Sequence, residues 1–251
     1  MFAEGERILL LDERGRKYLV RLEKRSLHTN FGAVDLGEAV GKKPGTVLKS
    51  HLGKEFLLLR PSVVDILHKI KRAPQIMLPK DSAQIVAHTG VGPGSLVVDG
   101  GVGSASLAIF LGNLVRPNGR VVSYELREDF AKIAGENIKM AGLDGTITIK
   151  LKDICQGIDE RDVDLVTLDI PTPELVLPHA EAALKVGGYL SVFAPCVEHL
   201  QRLYRALPKF RFRDYKTIEC LVREMKVSEM STRPDTRMIA HTGYLTFARR
   251  V

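Results

Sequence analysis

The sequence predicts an α/β fold in which a Rossmann-like, mostly parallel seven-stranded sheet follows a small N-terminal β domain. From about residue 71 onward, short apolar strand patterns alternate with helical patterns, as expected of a parallel sheet with helical crossovers. Before residue 70 the chain instead shows pairs of strand patterns separated by tight turns. We therefore divide the 251 residues into a small β domain, 1–70, and an α/β domain, 71–251.

The N-terminal domain is predicted to contain two hairpins and one short helix. Its strand patterns form two pairs, residues 7–11 with 17–22 and residues 46–49 with 56–59. A turn at Asp12–Gly15 joins the first pair, and Gly53 lies inside the second turn. Pro61 then opens a helix expected over Ser62 to Ile70.

The α/β domain is predicted to hold five helices and seven strands. Helices are expected near 81–90, 104–115, 128–141, 174–185 and 197–207. Strands are expected near 96–100, 120–125, 146–151, 163–169, 188–194, 214–222 and 239–248. Turn residues such as Asn118-Gly119 and Gly187-Gly188 support the breaks. Because no helix separates the last two strands, they are predicted to pair antiparallel.

A glycine loop after the first strand of this sheet indicates a nucleotide-binding turn. The apolar run 96–98 leads through Asp99 into Gly100-Gly101-Val102-Gly103, and an apolar helical pattern follows. Missing side chains let the backbone approach a ligand, and the helix N-terminus presents free N–H groups. The third glycine of the dinucleotide pattern G-x-G-x-x-G is absent, which argues against a dinucleotide.

Two carboxylates downstream of the loop favour S-adenosylmethionine as the ligand. Glu125 ends the second strand about 20 residues past the glycines, where an acid can bind ribose hydroxyls, and Asp153 follows the third strand. We expect the methionine moiety along the glycine loop, the ribose at Glu125 and the adenine near Asp153. The alternative is that the glycines only allow the helix to pack against the strand.

A fourth acid, Asp169, is the candidate for contact with the methyl acceptor. It ends the fourth strand and is followed by Ile170-Pro171-Thr172-Pro173. Carboxyl ends of parallel strands border one crevice, so Asp169 should face the same cleft as Asp99, Glu125 and Asp153. Two prolines stiffen the loop and would hold a carboxylate that accepts a hydrogen bond from a substrate amino group. The alternative role is a cap for the following helix.

The charge balance favours a polyanionic partner. The chain has 37 Lys and Arg against 30 Asp and Glu, a net charge of +7. Basic residues cluster at 14–25, 69–72, 209–213 and 249–250, where they could bind phosphates. A solvated surface without a ligand is the alternative.

No apolar run reaches the roughly 18 residues of a membrane span, so we expect a cytoplasmic protein with no membrane partner. The three cysteines lack metal-ligand spacing, so no metal site is expected.

Several motifs resemble those of the tRNA (adenine-58-N1)-methyltransferases, particularly the archaeal type, over nearly the whole chain. The matching stretches are 72–81 (RAPQIMLPKD), the glycine loop, 124–128 (YELRE), 168–173 (LDIPTP), Arg233-Pro234 and 241–244 (HTGY). The resemblance implies a class I methyltransferase domain behind a small β domain and assembly as a homotetramer. It also implies methylation of N1 of adenine in the T-loop of tRNA, at position 58 and also at 57 in archaeal relatives.

The same resemblance assigns roles to individual residues. It implies a cofactor site of Val102, Gly103, Ser104, Ala105, Glu125, Asp153, Ile154 and Asp169. Asp169 is also the implied catalytic residue, which binds the target amino group. It places Gln75, Leu78, Arg233, His241 and Thr242 near the substrate. For His241 a structural role is the alternative, and for Arg233 a subunit-interface ion pair. The chain departs from the family pattern at Ala105, where a glycine is usual. It also departs at Leu78, where relatives often carry an aromatic residue or a histidine, and at Glu174, where an aromatic residue is frequent.

Two other functions remain open from the sequence. A methyltransferase for another acceptor, such as a protein carboxylate or a different RNA site, would share the glycine loop and the acids. A non-catalytic RNA-binding subunit would keep the fold and the basic surface. Such a subunit is expected to lose the cofactor acids, whereas Glu125, Asp153 and Asp169 are all present here.

Overall fold

The computed structural model describes residues 1–73 and 76–251, so the predicted substrate residue Gln75 lies outside the described residues. The chain divides into two compact units, Met1–Lys69 and Ile70–Val251. No helix in the described ranges is both long and apolar enough to span a membrane.

The first unit is a small antiparallel β domain. Its elements are β1 (Arg7–Asp12), β2 (Lys17–Arg21), β3 (Ser26–Thr29), β4 (Gly32–Asp35), β5 (Val47–Lys49), β6 (Glu55–Leu59) and α1 (Val63–Leu67). Four strands form a sheet in the order β2-β1-β6-β5, and β3 pairs with β4 in a separate hairpin. Alternate apolar residues fill a core that includes Ile8, Leu10, Phe56 and Leu58. The two predicted strand pairs are present, but the β3–β4 hairpin was not predicted.

The second unit alternates strands and helices. Its helices are α2 (Pro79–Thr89), α3 (Ser106–Val115), α4 (Glu128–Ala141), α5 (Leu177–Ala183) and α6 (Val197–Ala206). Its strands are β7 (Leu96–Gly100), β8 (Arg120–Glu125), β9 (Ile147–Leu151), β10 (Val163–Leu168), β11 (Leu184–Ala194), β12 (Phe212–Glu219), β13 (Met225–Val227), β14 (Thr232–Pro234) and β15 (Tyr244–Arg250).

Seven of these strands form one sheet in the order β12-β15-β11-β10-β7-β8-β9. The five strands from β11 to β9 in this order pair parallel, whereas β15 pairs antiparallel with both β11 and β12. The strand order reverses between β7 and β10, which is the topological switch point where open α/β sheets bind ligands. The predicted α/β class and the antiparallel end of the sheet are confirmed.

The hydrophobic core of the second unit lies between the sheet and the helices that pack on it. Helix α3 packs against β7, β8 and β9, and α5 and α6 pack against β11. One core cluster combines strand residues such as Val98 and Val166 with Ala180 and Leu203 from the helices. Short runs of β-branched residues buried on the sheet explain the continuous apolar strand patterns of the sequence.

Two predicted elements differ clearly from those observed, and one observed ribbon was not predicted. The helix expected over 174–185 is shorter, because residues 173–176 form a 3-10 turn that begins with a proline and β11 starts at Leu184. The last strand starts at Tyr244 rather than near 239, because His241 and Thr242 use their side chains to contact other segments. Between β12 and β15 the chain forms the short β13–β14 ribbon, which was not predicted.

Candidate cofactor and acceptor site

A cavity of about 610 Å³ lies at the carboxyl ends of β7, β8, β9 and β10. Its wall comes from four loops that follow these strands and from the segment before α2, including Ile76, Met77, Asp99, Gly101, Val102, Gly103, Ser104, Glu125, Phe130, Asp153, Ile154, Asp169 and Thr172. Its size falls in the range of sites for small molecules and cofactors. The structure therefore brings Val102, Gly103 and Ser104 together with all four strand-end acids.

The glycine loop has a backbone path that only small residues permit. Gly101 has a φ of +89°, and a Cβ atom there would lie 2.5 Å from the carbonyl oxygen of Asp169. The loop and the Asp169 turn thus touch through their backbones. Ala105 is fully buried behind the loop, with a left-handed φ of 62° at the start of α3. A non-glycine residue there carries a strain of about 1 kcal/mol, which the surrounding structure maintains.

Glu125 holds the glycine loop while it faces the cavity. One carboxylate oxygen accepts from the Gly103 N–H at 3.0 Å, and the other accepts from the Arg127 N–H at 3.0 Å. A carboxylate offers about four lone-pair positions, so Glu125 keeps acceptors for ribose hydroxyls. Because each of its oxygens is oriented by a backbone N–H, the carboxylate is positioned before any ligand arrives.

Asp153 has a local structural role as well as a place in the cavity wall. Its Oδ1 accepts from the Cys155 N–H at 2.9 Å and caps the 3-10 helix Ile154–Gln156. This turn buries the Ile154 side chain against the sheet and also presents it to the cavity. The arrangement sets a carboxylate beside an apolar surface, which suits a flat heterocycle with polar edges.

Two acids at the switch point share an unusual electrostatic environment. Asp99 is 2% exposed and accepts from the hydroxyls of Ser123 at 3.0 Å and Thr167 at 2.9 Å. Burial raises the pKa of Asp99 to about 6. Asp169 opens onto the cavity, yet the surrounding walls and the Asp99 carboxylate raise its pKa to about 7. Perturbed pairs of this kind are common in functional clefts.

The side chain of Asp169 does not cap the helix that follows it. The 3-10 turn after it, Pro173–Val176, has Thr172 as its N-cap, and α5 begins at Leu177 with Val176 as its N-cap. Among the described residues, nothing donates a hydrogen bond to the Asp169 carboxylate, which leaves it available to a substrate. The capping alternative raised by the sequence is therefore wrong.

The loop after Asp169 is held by an ion pair that the sequence did not reveal. Arg202 of α6 donates from Nε to Glu174 at 3.1 Å and from Nη2 to the Pro171 carbonyl at 3.0 Å. Glu174, which departs from the family pattern, thus connects the proline turn to α6. Its second oxygen is buried without a hydrogen-bond partner in the described part of the chain.

The segment before α2 is tied to the glycine loop by a buried amide. Asn137 of α4 donates to the carbonyls of Lys71 at 2.8 Å and Ser104 at 2.9 Å, and accepts from the Lys71 N–H at 2.9 Å. Ser106 adds a bond from its hydroxyl to the Met77 carbonyl. The roles of Met77, Phe130 and Asn137 were not predicted, because no local pattern indicates which residues of distant segments will meet.

The other residues predicted near the substrate do not line this cavity. Leu78 precedes α2 and is half-buried, next to the cavity-lining Met77. Arg233 lies on β14 opposite Lys226 and is exposed. Neither position is part of the cavity wall, and their predicted contact with the substrate remains a prediction.

His241 and Thr242 anchor the segment before β15. Nδ1 of His241 contacts Glu219 at 2.6 Å, and its Nε2 lies 2.9 Å from the Pro195 carbonyl oxygen. The Glu219 hydrogen bond raises the pKa of His241. Thr242 donates to the buried carboxylate of Asp81 at 2.9 Å. These contacts favour the structural alternative for His241.

The donor set of the cavity fits S-adenosylmethionine. Backbone N–H groups at the start of α3 suit a carboxylate, Glu125 suits vicinal hydroxyls, and Asp153 beside Ile154 suits an adenine. Within residues 1–73 and 76–251 no group of three or more His, Cys, Asp or Glu side chains is placed to hold a metal ion.

The fold and this cavity define a class I, S-adenosylmethionine-dependent methyltransferase. Residues 66–233 match the family described as the tRNA methyltransferase complex GCD14 subunit, and residues 1–48 match the TrmI-like N-terminal family. The chain belongs to this GCD14/TrmI family of tRNA methyltransferases. The resemblance inferred from the sequence motifs is confirmed.

Individual relatives agree with this assignment. The chain is 37% identical to the tRNA (adenine(57)-N(1)/adenine(58)-N(1))-methyltransferase TrmI of Methanocaldococcus jannaschii, over 96% of this chain and 94% of the relative. It is 31% identical to TrmI of Thermus thermophilus, over 97% and 96%.

Solved structures show the same fold. A crystal structure described as an SAM-dependent O-methyltransferase from Thermotoga maritima matches with a TM-score of 0.91 and 38% identity, over 100% of this chain and 94% of that chain. The tRNA (m1A58) methyltransferase TrmI of Aquifex aeolicus matches with a TM-score of 0.82 and 26% identity, over 100% and 98%.

Proposed function

We propose that this protein transfers a methyl group from S-adenosylmethionine to N1 of adenine in the T-loop of tRNA, at position 58 and also at position 57. The observation that carries the proposal is the unpartnered Asp169 carboxylate at the switch point, beside a cavity that suits the cofactor. The names of the relatives supply the tRNA substrate.

The residues of the cavity would act mainly by positioning. When bound, S-adenosylmethionine supplies an electrophilic methyl group on a positively charged sulfur. Glu125 would hold the ribose, and the glycine loop would hold the methionine end. Asp169 would accept a hydrogen bond from the exocyclic amino group of the adenine, which places N1 beside the methyl donor. As N1 gains positive charge, the nearby carboxylate stabilises it.

The near-neutral pKa of Asp169 makes this step dependent on pH. Only the carboxylate form accepts the hydrogen bond from the amino group. With a pKa of about 7 in the free protein, that form grows as the pH rises from 6 to 8. Arg202 and Glu174 would keep the carboxylate in place by fixing the turn that follows it.

The target base is hidden in folded tRNA, so the RNA must change shape to reach the cavity. The Watson–Crick edge of a T-loop adenine takes part in tertiary pairing, and enzymes that modify such bases extrude them. Recognition would rest on RNA shape and phosphate contacts rather than on base sequence.

Labelled methyl transfer to unmodified tRNA transcripts tests the proposal. Wild-type transcript and transcripts with A57 or A58 replaced, singly and together, are compared. We expect incorporation that disappears when both adenines are replaced, with 1-methyladenosine in the nuclease digest. Cofactor binding without transfer to any tRNA would contradict the proposal and favour a non-catalytic RNA-binding subunit.

A second acceptor class follows from the description of the Thermotoga structure as an O-methyltransferase. A methyl ester on a protein carboxylate is released by mild base, whereas a methyl group on a ring nitrogen remains on the nucleoside. Incorporation into a protein extract as base-labile label, with none into tRNA, would favour this alternative.

We also propose a homotetramer, supported by an apolar ribbon that has no partner within the described chain. The apolar ribbon is the segment 221–239, which contains β13 and β14. Its exposed side chains include Val227, 77% exposed, and Met230, 97% exposed. Large exposed apolar patches mark interfaces. Light scattering of the V227K/M230K variant should show a smaller assembly, whereas V186K, at an equally exposed valine outside the ribbon, should not.

A cytoplasmic location is part of the same proposal. The three cysteines are free thiols in the structure, as is usual in a reducing compartment. Cell fractionation followed by detection of the protein tests it.

A further inference from the structure

The N-terminal unit carries a second concavity, of about 570 Å³, that the proposed chemistry does not use. We call it the basic groove. Its cationic and imidazole lining comes from two segments far apart in the chain, namely Arg16, Lys17 and His28 from one and His68 and Lys69 from the other. The sequence clusters 14–25 and 69–72 thus contribute to one surface.

Two of the cations in the groove are already compensated. Lys17 Nζ lies 2.6 Å from Asp65 Oδ1, and Arg16 Nε lies 3.1 Å from Asp12 Oδ2. Although burial alone would raise it, hydrogen bonds from Lys17 and Ser62 hold the pKa of Asp65 at about 2. Asp65 is therefore ionised throughout the neutral range. These two ion pairs position side chains in the groove, but each pair adds no net charge to it.

Other cations at the groove remain available to an anion. In the described ranges, neither Lys69 nor Arg14 forms an ion pair with a carboxylate, and both residues are exposed. Arg14 is not among the lining residues, but its guanidinium lies 5.2 Å from the centre of the Phe31 ring, and that of the lining residue Arg16 lies 4.4 Å from it. The half-buried ring thus contacts both planar cations.

We propose that the basic groove binds the sugar-phosphate backbone of the RNA substrate. This inference rests on the proposed function. The available donors are exposed side chains, which fits the exposed phosphates of a polymer better than one enclosed small anion. Asn30 in the lining adds a side-chain amide that can donate to phosphate and ribose oxygens.

The test compares two double variants of the full-length protein. R14A/K69A removes the available cation Lys69 of the lining and Arg14, which shares the Phe31 ring with the lining residue Arg16. K42A/K43A removes the same charge from exposed lysines of the same unit that do not line the groove. Binding to unmodified tRNA transcript is measured over a salt series, together with kcat at saturating tRNA and the affinity for S-adenosylmethionine.

We expect R14A/K69A to weaken tRNA binding about five- to tenfold more than K42A/K43A does. The slope of log K against log salt should fall by about 1 to 2, as expected for the loss of two phosphate contacts. The kcat at saturating tRNA and the affinity for the cofactor should stay unchanged, because no lining residue of the groove also lines the cofactor cavity.

Three results would overturn the inference. If both variants bind tRNA equally well while the wild type still methylates it, the groove is not an RNA site and the proposed function stands. If the wild type neither binds nor methylates tRNA, both proposals fail. The charge reversal K69E gives an independent measure, since it keeps a long polar side chain at an exposed position. Unchanged tRNA affinity in K69E would also contradict the groove.

Discussion

Replacement of Asn137 by alanine tests how the cofactor loop is held. The side chain is 1% exposed and makes three hydrogen bonds, to the N–H and carbonyl of Lys71 and to the carbonyl of Ser104. Each lost bond costs about 1 kcal/mol, and the buried Ser104 carbonyl is left without this donor. With the small cavity that forms, we expect a loss of about 2–4 kcal/mol in the free energy of unfolding.

Urea unfolding of the full-length protein measures this loss, and titration calorimetry measures the affinity for S-adenosylmethionine. We expect the cofactor to bind about tenfold more weakly, because the Ser104 backbone belongs to the cavity wall. Asn137→Asp is the matched control. It keeps the volume but cannot donate to the two carbonyls, so it should destabilise at least as much as alanine does. Wild-type stability in Asn137→Asp would refute the reasoning.

Four further predictions concern the cavity. Asp169→Asn should lower kcat at least about 100-fold while cofactor affinity stays within about tenfold, and near-normal turnover in this variant would exclude Asp169 from the mechanism. For the wild type, kcat/KM should rise as the pH increases through about 7. Glu125→Ala should weaken cofactor binding by about 1.5–3 kcal/mol, and an unchanged dissociation constant would place the ribose elsewhere. Because the pKa of Asp99 is about 6 when folded against 3.8 in the unfolded chain, the folded state binds more protons between these values and stability falls as the pH rises across that window. Asp99→Asn should therefore gain up to about 3 kcal/mol relative to the wild type from pH 4 to pH 7, and a pH-independent difference would contradict this. Arg202→Ala should lower kcat several-fold without changing cofactor affinity, since it removes the hydrogen bonds by which Arg202 and Glu174 fix the turn after Asp169. Equal kcat values in the variant and the wild type would show that the turn is rigid by itself.

Local patterns were sufficient for the order of elements and for the acids at the strand ends. The strands β7 and β8 have the predicted bounds, since buried parallel strands give continuous apolar runs. Glu125 and Asp169 could be placed at one cleft because carboxyl ends of parallel strands always meet at one edge. The β3–β4 hairpin and the β13–β14 ribbon escaped prediction, because each strand is only three or four residues long and carries no clear alternation.

The sequence by itself determined the α/β class, the glycine loop, the acids of the candidate cofactor site and the family, because each depends on residues close together in the chain. Only the tertiary structure decided which distant side chains complete the site. Asn137 meets a residue 66 positions away, and Arg202 reaches the turn at Pro171, 31 positions away. It also showed that His241 contacts Glu219 and Thr242 donates to Asp81, contacts that anchor the segment before β15. Such pairings depend on how whole elements pack, and no local pattern of residues encodes the partner of a side chain across the fold.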